Sequence, residues 1–332
     1  MIDKILIVGQ GSIGNRHAEI SRIIFPSADI RVLKHTKSSQ ISKHANSSLI
    51  DRTEVKNFKP QIAVISNPSS LHIDTAIYLA KHNINLLIEK PLGNNLKRID
   101  ELIQIVKKRK INVLIGYNLR FKDSLIKFKD LIRSESIGKV LSVDCEAGQF
   151  LPDWRPNVDY RKTVSAQKAL GGGALLELSH EIDYISWIFG QIEWVSALLS
   201  KQSNLEIDVE DYANLIMGLK NSSTLVNLKL DFFRRDPSRK CIVHGEKGSL
   251  QWDGISGLIL RFDHIKNEWE EIFKETNLDS NQTYLNEWNH FIECIKDKKQ
   301  SRVTIEDGVK VLQVIEASRE SSNNNSFKVF VN

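Results

Sequence analysis

Lys4-Ile5-Leu6-Ile7-Val8-Gly9-Gln10-Gly11-Ser12-Ile13-Gly14 decides the fold. Five residues of a short apolar strand run directly into G-x-G-x-x-G, and a helical pattern opens over residues 13–25. In that context each glycine has a task. Gly9 permits the tight turn, Gly11 lets backbone approach a pyrophosphate, and Gly14 lets helix and strand pack closely. The helix N-terminus, with Ser12 and Ile13 in its first turn, offers unpaired N–H groups and partial positive charge to the phosphates. The stretch therefore predicts a dinucleotide-binding Rossmann domain.

Working outward, residues 29–33, 61–65, 85–88 and 112–115 read as further short strands rich in Ile, Val and Leu, the composition of buried parallel strands. Helical patterns at 70–81 and 96–109 separate them, and this βαβ rhythm predicts a doubly wound parallel sheet over residues 1–118. Where a ribose-binding acidic residue is expected, about 20 residues beyond the glycine loop, the chain has Lys34-His35-Thr36-Lys37. Cations there suit a 2′-phosphate, so NADP is favoured, with NAD held through backbone contacts as the alternative.

The pattern changes after Gly116. A helix at 122–134 and a strand at 139–145 precede a loop containing Pro and Trp and the triplet Gly171-Gly172-Gly173. Residues 174–189 are apolar almost all round and predict one buried helix. Strands at 195–201, 211–219, 224–232, 239–244 and 249–252 follow without helices between them, which predicts an antiparallel meander. Helices at 283–295 and 305–319 and a last strand at 327–331 complete a second, α+β domain over residues 119–332.

Composition excludes several classes. The chain has 332 residues, 41% hydrophobic and 26% charged, enough for two globular domains without disulfides. Its three cysteines are widely spaced and form no CxxC or Cys/His cluster, so neither a structural metal nor a disulfide framework is expected; a reducing, cytoplasmic compartment is. No apolar stretch reaches the length of a membrane span, and Lys4–Val8 is too short for a signal sequence. The net charge of +5 is spread out, and its densest run, Lys107-Lys108-Arg109-Lys110, suits a solvated helix end rather than a nucleic-acid surface.

Beyond the glycine loop, the chain carries Asn67-Pro68 with His72, Glu89-Lys90-Pro91, Gly116-Tyr117-Asn118 with Arg120-Phe121, the triplet Gly171–Gly173 leading to His180 and Asp183, and Thr304-Ile305-Glu306-Asp307-Gly308. In this order these motifs resemble the glucose–fructose oxidoreductase/inositol dehydrogenase (Gfo/Idh/MocA) family. The resemblance implies a Rossmann domain followed by an α/β domain with a large, mostly antiparallel sheet, one face on helices and the other in oligomerisation. It implies reversible oxidation of a sugar, sugar acid or nucleotide-sugar alcohol, and a cis Lys90–Pro91 bond. Asn67, Pro68, His72 and Glu89 would then lie at the cofactor, and Tyr117, Asn118, Arg120 and Asp183 at the substrate.

Hydride transfer from a carbinol needs a group that takes the hydroxyl proton and one that stabilises the developing alkoxide. Lys90 ends a strand at the edge where open α/β sheets place ligands, and is expected to polarise the reacting oxygen and relay its proton. His180 is the expected base, with Glu177 beside it on the same helix face; the family places an Asp four residues before the His, where this chain has Leu176. Arg155, Tyr160 and Arg161 offer cations and an aromatic group for an acidic substrate. Apolar residues for both faces of 214–217 and 225–228 predict a homodimer or homotetramer through the sheet. A non-catalytic dinucleotide-binding regulator and a redox-neutral enzyme with tightly held NAD are the competing readings; the presence of both Lys90 and His180 argues against the regulator.

Overall fold

The computed structural model describes residues 2–34 and 41–332. The chain divides into two compact units, one running to Asn118 and including Thr283–Val309, the other comprising Leu119–Gln282 and Lys310–Asn332. The boundary expected after Asn118 assigns Thr283–Val309 to the second domain; in the structure this segment returns to the first unit.

In the first unit, β1 (Lys4–Val8), β2 (Asp29–Leu33), β3 (Ser47–Leu49), β4 (Ile62–Ile65), β5 (Asn85–Glu89) and β6 (Val113–Gly116) form a six-stranded sheet in the order β3-β2-β1-β4-β5-β6. All its pairings are parallel. The helices α1 (Ser12–Ile24), α2 (Val55–Phe58), α3 (His72–Ala80) and α4 (Ile99–Arg109) connect these strands. The sheet is buried on both faces, and Ile5, Leu6, Ile7, Val8, Val64 and Ile88 are wholly inaccessible. That is why these strands read as unbroken apolar runs rather than alternating ones. The strand order reverses between β1 and β4, and ligands of open α/β sheets bind beyond the carboxyl ends at such a point.

The second unit holds α5 (Asp123–Arg133), β7 (Val140–Gly148), α6 (Ala174–Glu177) and α7 (His180–Phe189). Next come β8 (Ile192–Ser200), β9 (Tyr212–Leu219), β10 (Leu225–Asp231), β11 (Ser238–Gly245), β12 (Gly248–Asp253), β13 (Leu258–Asp263) and β14 (Glu268–Lys274). Helix α8 (Gln282–Asp297) lies, but for Gln282, in the first unit, while α9 (Ile305–Asn323) from Lys310 onward and strand β15 (Val329–Phe330) belong to the second. The sheet has nine strands in the order β14-β13-β12-β11-β7-β10-β9-β8-β15. It is antiparallel except between β7 and β10. The expected meander is thus interrupted: β7, from before the glycine triplet, inserts between β10 and β11.

Two further readings are corrected. The hairpin β13–β14 stands at 258–274, where no strand was expected. Its outer strand, Glu-Trp-Glu-Glu-Ile-Phe-Lys, is charged and mostly exposed, as an edge strand protected against pairing should be. The single helix expected over 174–189 is two helices. Leu178 (φ −99°, ψ 32°) ends α6, and Ser179 precedes α7. Both helices are buried, so the all-round apolar pattern carried no signal of the break.

Candidate active site

Four chain segments leave the carboxyl ends of neighbouring strands in the first unit: Gly9 after β1, Ser66-Asn67 after β4, Lys90 after β5 and Tyr117 after β6. Gly9 has φ +95°, and a Cβ there would lie 2.8 Å from both the Asn67 nitrogen and the Ser66 carbonyl oxygen. A Cβ on Gly14 would lie 2.3 Å from the Gly9 carbonyl oxygen, whereas one on Gly11 would meet nothing within 4 Å. The first and third glycines are therefore fixed by packing, and the second fronts open space. Gly11 caps α1 without a side-chain hydrogen bond, Gly11 and Ser12 are exposed, and Ile13 is half-buried. An uncapped helix start beside such a gap fits a dinucleotide pyrophosphate.

Asn67 is buried, and its amide nitrogen donates to Thr75 Oγ1 at 3.2 Å. Its Oδ1 has no hydrogen-bond partner among the described residues, which leaves it able to accept from a ligand. Pro68 is half-buried at the start of the following turn. Lys34 is buried, and its N–H donates to the Leu49 carbonyl at 3.0 Å. His35, Thr36 and Lys37 lie outside the described residues.

The Lys90–Pro91 peptide is cis. Lys90 is half-buried, and its N–H donates to Glu89 Oε2 at 3.0 Å. His72 is buried, with Nδ1 2.9 Å from the Pro91 carbonyl oxygen and Nε2 2.8 Å from that of Asn67. Burial holds its pKa below the ordinary histidine value. His72, expected at the cofactor, thus contacts backbone carbonyls, and Glu89, expected there too, contacts the Lys90 N–H and His17. Tyr117 is fully buried, and the Asn118 amide donates to Thr283 Oγ1 at 2.8 Å.

Helix α8 adds residues that sequence reading missed. Trp288 is fully buried and its indole N–H donates to His17 Nδ1 at 3.0 Å; His17 Nε2 lies 2.8 Å from Glu89 Oε1. Glu287 is fully buried, with neither carboxyl oxygen hydrogen-bonded among the described residues. Burial, reinforced by the nearby Glu89 charge, pushes its pKa well above the usual carboxyl range. These residues lie far along the chain from the glycine loop, and no local motif marks them.

In the second unit, the glycine triplet bends the chain into α6. Gly173 has φ +109°, and a Cβ there would lie 2.3 Å from Glu210 Oε1. Glu210, also missed in the sequence, accepts the Leu175 N–H on its side chain at 3.1 Å and the Ala174 N–H on its carbonyl at 3.0 Å. Its pKa is raised by burial. His180 is half-buried at the first position of α7, and Glu177 accepts the Ser165 hydroxyl at 2.8 Å from the separate helix α6. The shared helix face expected for Glu177 and His180 is therefore absent. Arg120 and Asp183 are buried and bind each other through two hydrogen bonds of 2.9 and 2.7 Å. Arg161 is exposed and bridges Asp159 and Glu206, and the Tyr160 hydroxyl accepts the Glu206 N–H. Arg155 is half-buried in the same loop. Among the described residues no cluster of His, Cys, Asp or Glu could hold a metal ion.

Residues 4–117 match the oxidoreductase family with an NAD-binding Rossmann fold (Gfo/Idh/MocA), and residues 129–331 match that family's C-terminal α/β domain. The chain belongs to the Gfo/Idh/MocA oxidoreductase family. It is 25% identical to myo-inositol 2-dehydrogenase of Thermotoga maritima, over 96% of each chain. It is 25% identical to the rhizopine catabolism protein MocA of Rhizobium meliloti, over 95% of this chain and 93% of that protein. Its fold matches levoglucosan dehydrogenase in complex with NADH and levoglucosan, at a TM-score of 0.85, 18% identity and 99% coverage of both chains. It also matches the WlbA dehydrogenase of Bordetella pertussis in complex with NADH and UDP-GlcNAcA, at a TM-score of 0.82 and 16% identity, over 100% of this chain and 99% of that one. No helix among the described residues is long and apolar enough to cross a membrane.

Proposed function

We propose that this Gfo/Idh/MocA oxidoreductase is a nicotinamide-dependent dehydrogenase or reductase acting on a CH–OH group of a sugar, sugar acid or nucleotide sugar. The observation that carries the reading is the shared sheet edge. An open glycine loop with no side-chain cap, an Asn67 Oδ1 with no partner among the described residues, and Lys90 all follow carboxyl ends of adjacent strands. The named activities of the relatives support the substrate class.

The loop Gly9–Gly14 would hold the pyrophosphate, with Asn67 completing the cofactor site. When bound, the nicotinamide supplies the hydride acceptor or donor. Lys90 donates to the reacting oxygen and moves its proton, and His180 is the companion base. Lys34, directly after β2, supports NADP over NAD. Arg155 lies in the loop that would meet an acidic substituent.

A homo-oligomer is part of the same proposal. Ala213, Leu215, Met217, Val226, Leu228 and Leu230 face the core of the second unit, while Leu198, Ile216 and Leu225 are 48%, 42% and 46% exposed on the other side of the sheet. A partner covering that face would bury them.

The test is a titration of the pure protein with NADH and NADPH, followed by turnover assays with myo-inositol, levoglucosan and UDP-linked sugar acids. Tight cofactor binding with turnover of one of these is expected. A protein that binds neither cofactor, or binds one and transfers hydride to no member of the panel, would overturn the reading.

A further inference from the structure

We infer that His17 is a positioning residue for the Lys90 chemistry: acting through Glu89, it fixes the peptide from which the Lys90 side chain projects. The inference rests on the role proposed above for Lys90, and it concerns residues of the first unit alone.

The direction of each hydrogen bond follows from the donor inventory. An indole N–H can only donate, so Trp288 gives its proton to His17 Nδ1 at 3.0 Å. That leaves the ring hydrogen on His17 Nε2, which donates to Glu89 Oε1 at 2.8 Å. The Lys90 N–H donates to the other carboxyl oxygen, Oε2, at 3.0 Å. Both Glu89 oxygens are therefore acceptors, one toward His17 and one toward the Lys90 backbone. Trp288 and His17 are fully inaccessible and Glu89 is 6% exposed, so water does not compete for these bonds. Space for the carboxylate depends on Gly116, where a Cβ would come within 3.2 Å of Glu89 Oε2.

The other end of the Lys90–Pro91 dipeptide lies against a second buried side chain, His72, whose Nδ1 is 2.9 Å from the Pro91 carbonyl oxygen and whose Nε2 is 2.8 Å from that of Asn67. The dipeptide is thus held at its Lys90 N–H by buried Glu89, while the neutral His72 ring can donate its one proton to the Pro91 carbonyl or to that of Asn67 but not to both. An error of about 1 Å in placing a reacting group can cost on the order of 100-fold in rate. A side chain that fixes the peptide should therefore affect turnover without touching substrate.

The test compares His17→Leu, which removes the donor to Glu89, with His17→Gln, whose side-chain amide can put an N–H near the place of ring Nε2. In His17→Leu, kcat should fall about 10- to 100-fold, with NADH affinity within about threefold of the parent; His17→Gln should recover most of the loss. Glu89→Gln, which cannot accept from both donors, should behave like His17→Leu and serves if that variant does not fold.

A second readout needs no turnover. In protein labelled with ¹⁵N-lysine, the Lys90 amide resonance is identified by its absence from Lys90→Met, and its hydrogen exchange should be at least about tenfold faster in His17→Leu or Glu89→Gln. Unchanged exchange at Lys90 would overturn the inference. So would a loss of NADH affinity in proportion to turnover, which would place the effect of His17 on the phosphate loop through α1. If the parent protein turns over no sugar, the function reading fails by itself, and the exchange measurement still decides the role of His17.

Discussion

Arg120 and Asp183 form a bidentate pair inside the second unit, with Nε to Oδ2 at 2.9 Å and a terminal nitrogen to Oδ1 at 2.7 Å, their side chains 5% and 1% exposed. The guanidinium also lies 5.6 Å from the Trp187 ring centre. Removing one member strands a buried charge. Asp183→Ala should destabilise the protein by about 3–5 kcal/mol, and replacing both residues by apolar ones should cost less than the two single changes together. Urea denaturation of the three variants measures this. Equal, additive effects would show that the pair is not coupled.

Glycine substitutions should separate folding from binding. Gly9→Val brings a side chain against the Asn67 and Ser66 backbone at a positive φ, so it should destabilise the fold as well as abolish binding. Gly11→Val is the separable change, because its Cβ would meet nothing within 4 Å. It should keep a melting temperature near that of the parent and lose at least about tenfold in NADH affinity. Thermal melts and fluorescence titration check both.

Lys90→Met should lower turnover by about 10²- to 10⁴-fold and leave NADH affinity largely unchanged, because it removes a proton donor and keeps much of the stem. His180→Ala should fall in the same range. If both residues serve one proton transfer, the double variant should lose less than the product of the single losses. Steady-state kinetics on the sugar that the parent turns over provide the measurement. Near-parental turnover in folded Lys90→Met would remove Lys90 from the chemistry.

Glu287 should make stability fall as pH rises. Burial raises its pKa in the folded state above that of the unfolded chain. Its contribution is therefore fully present below the unfolded carboxyl pKa of about 4.3 and is lost as pH rises toward the folded value. Over that window the parent should lose up to about 1.4 kcal/mol per pH unit relative to Glu287→Gln, which has no proton to release. Parallel stability curves for the two proteins between pH 5 and 8, roughly the accessible part of this window, would contradict this.

The open sheet face provides a fourth variant pair. Ile216 and Leu225 project from it while their neighbours Leu215 and Val226 are buried. Ile216→Lys and Leu225→Lys should yield monomers of unchanged fold, because a desolvated lysine is costly at an interface and ordinary on a wet surface. Light scattering at micromolar concentration distinguishes the outcomes. A monomeric parent would exclude the oligomer.

Local sequence determined the parts that depend on near neighbours. The apolar run 4–8 and the glycines after it fixed the strand, turn and helix of the phosphate loop, since steric demands on φ and helix polarity act within a few residues. The motif order also placed Lys90 at a strand end and the triplet before His180. What only tertiary structure decided lies in long-range contacts. Trp288 reaches His17 across 271 residues of chain, β7 inserts between β10 and β11, and Glu210 pins the Gly173 turn into α6. None of these partners has a periodic or local signature. A buried hydrogen bond is chosen by which donor and acceptor the completed fold leaves without water, and that is settled only when the distant segments have packed.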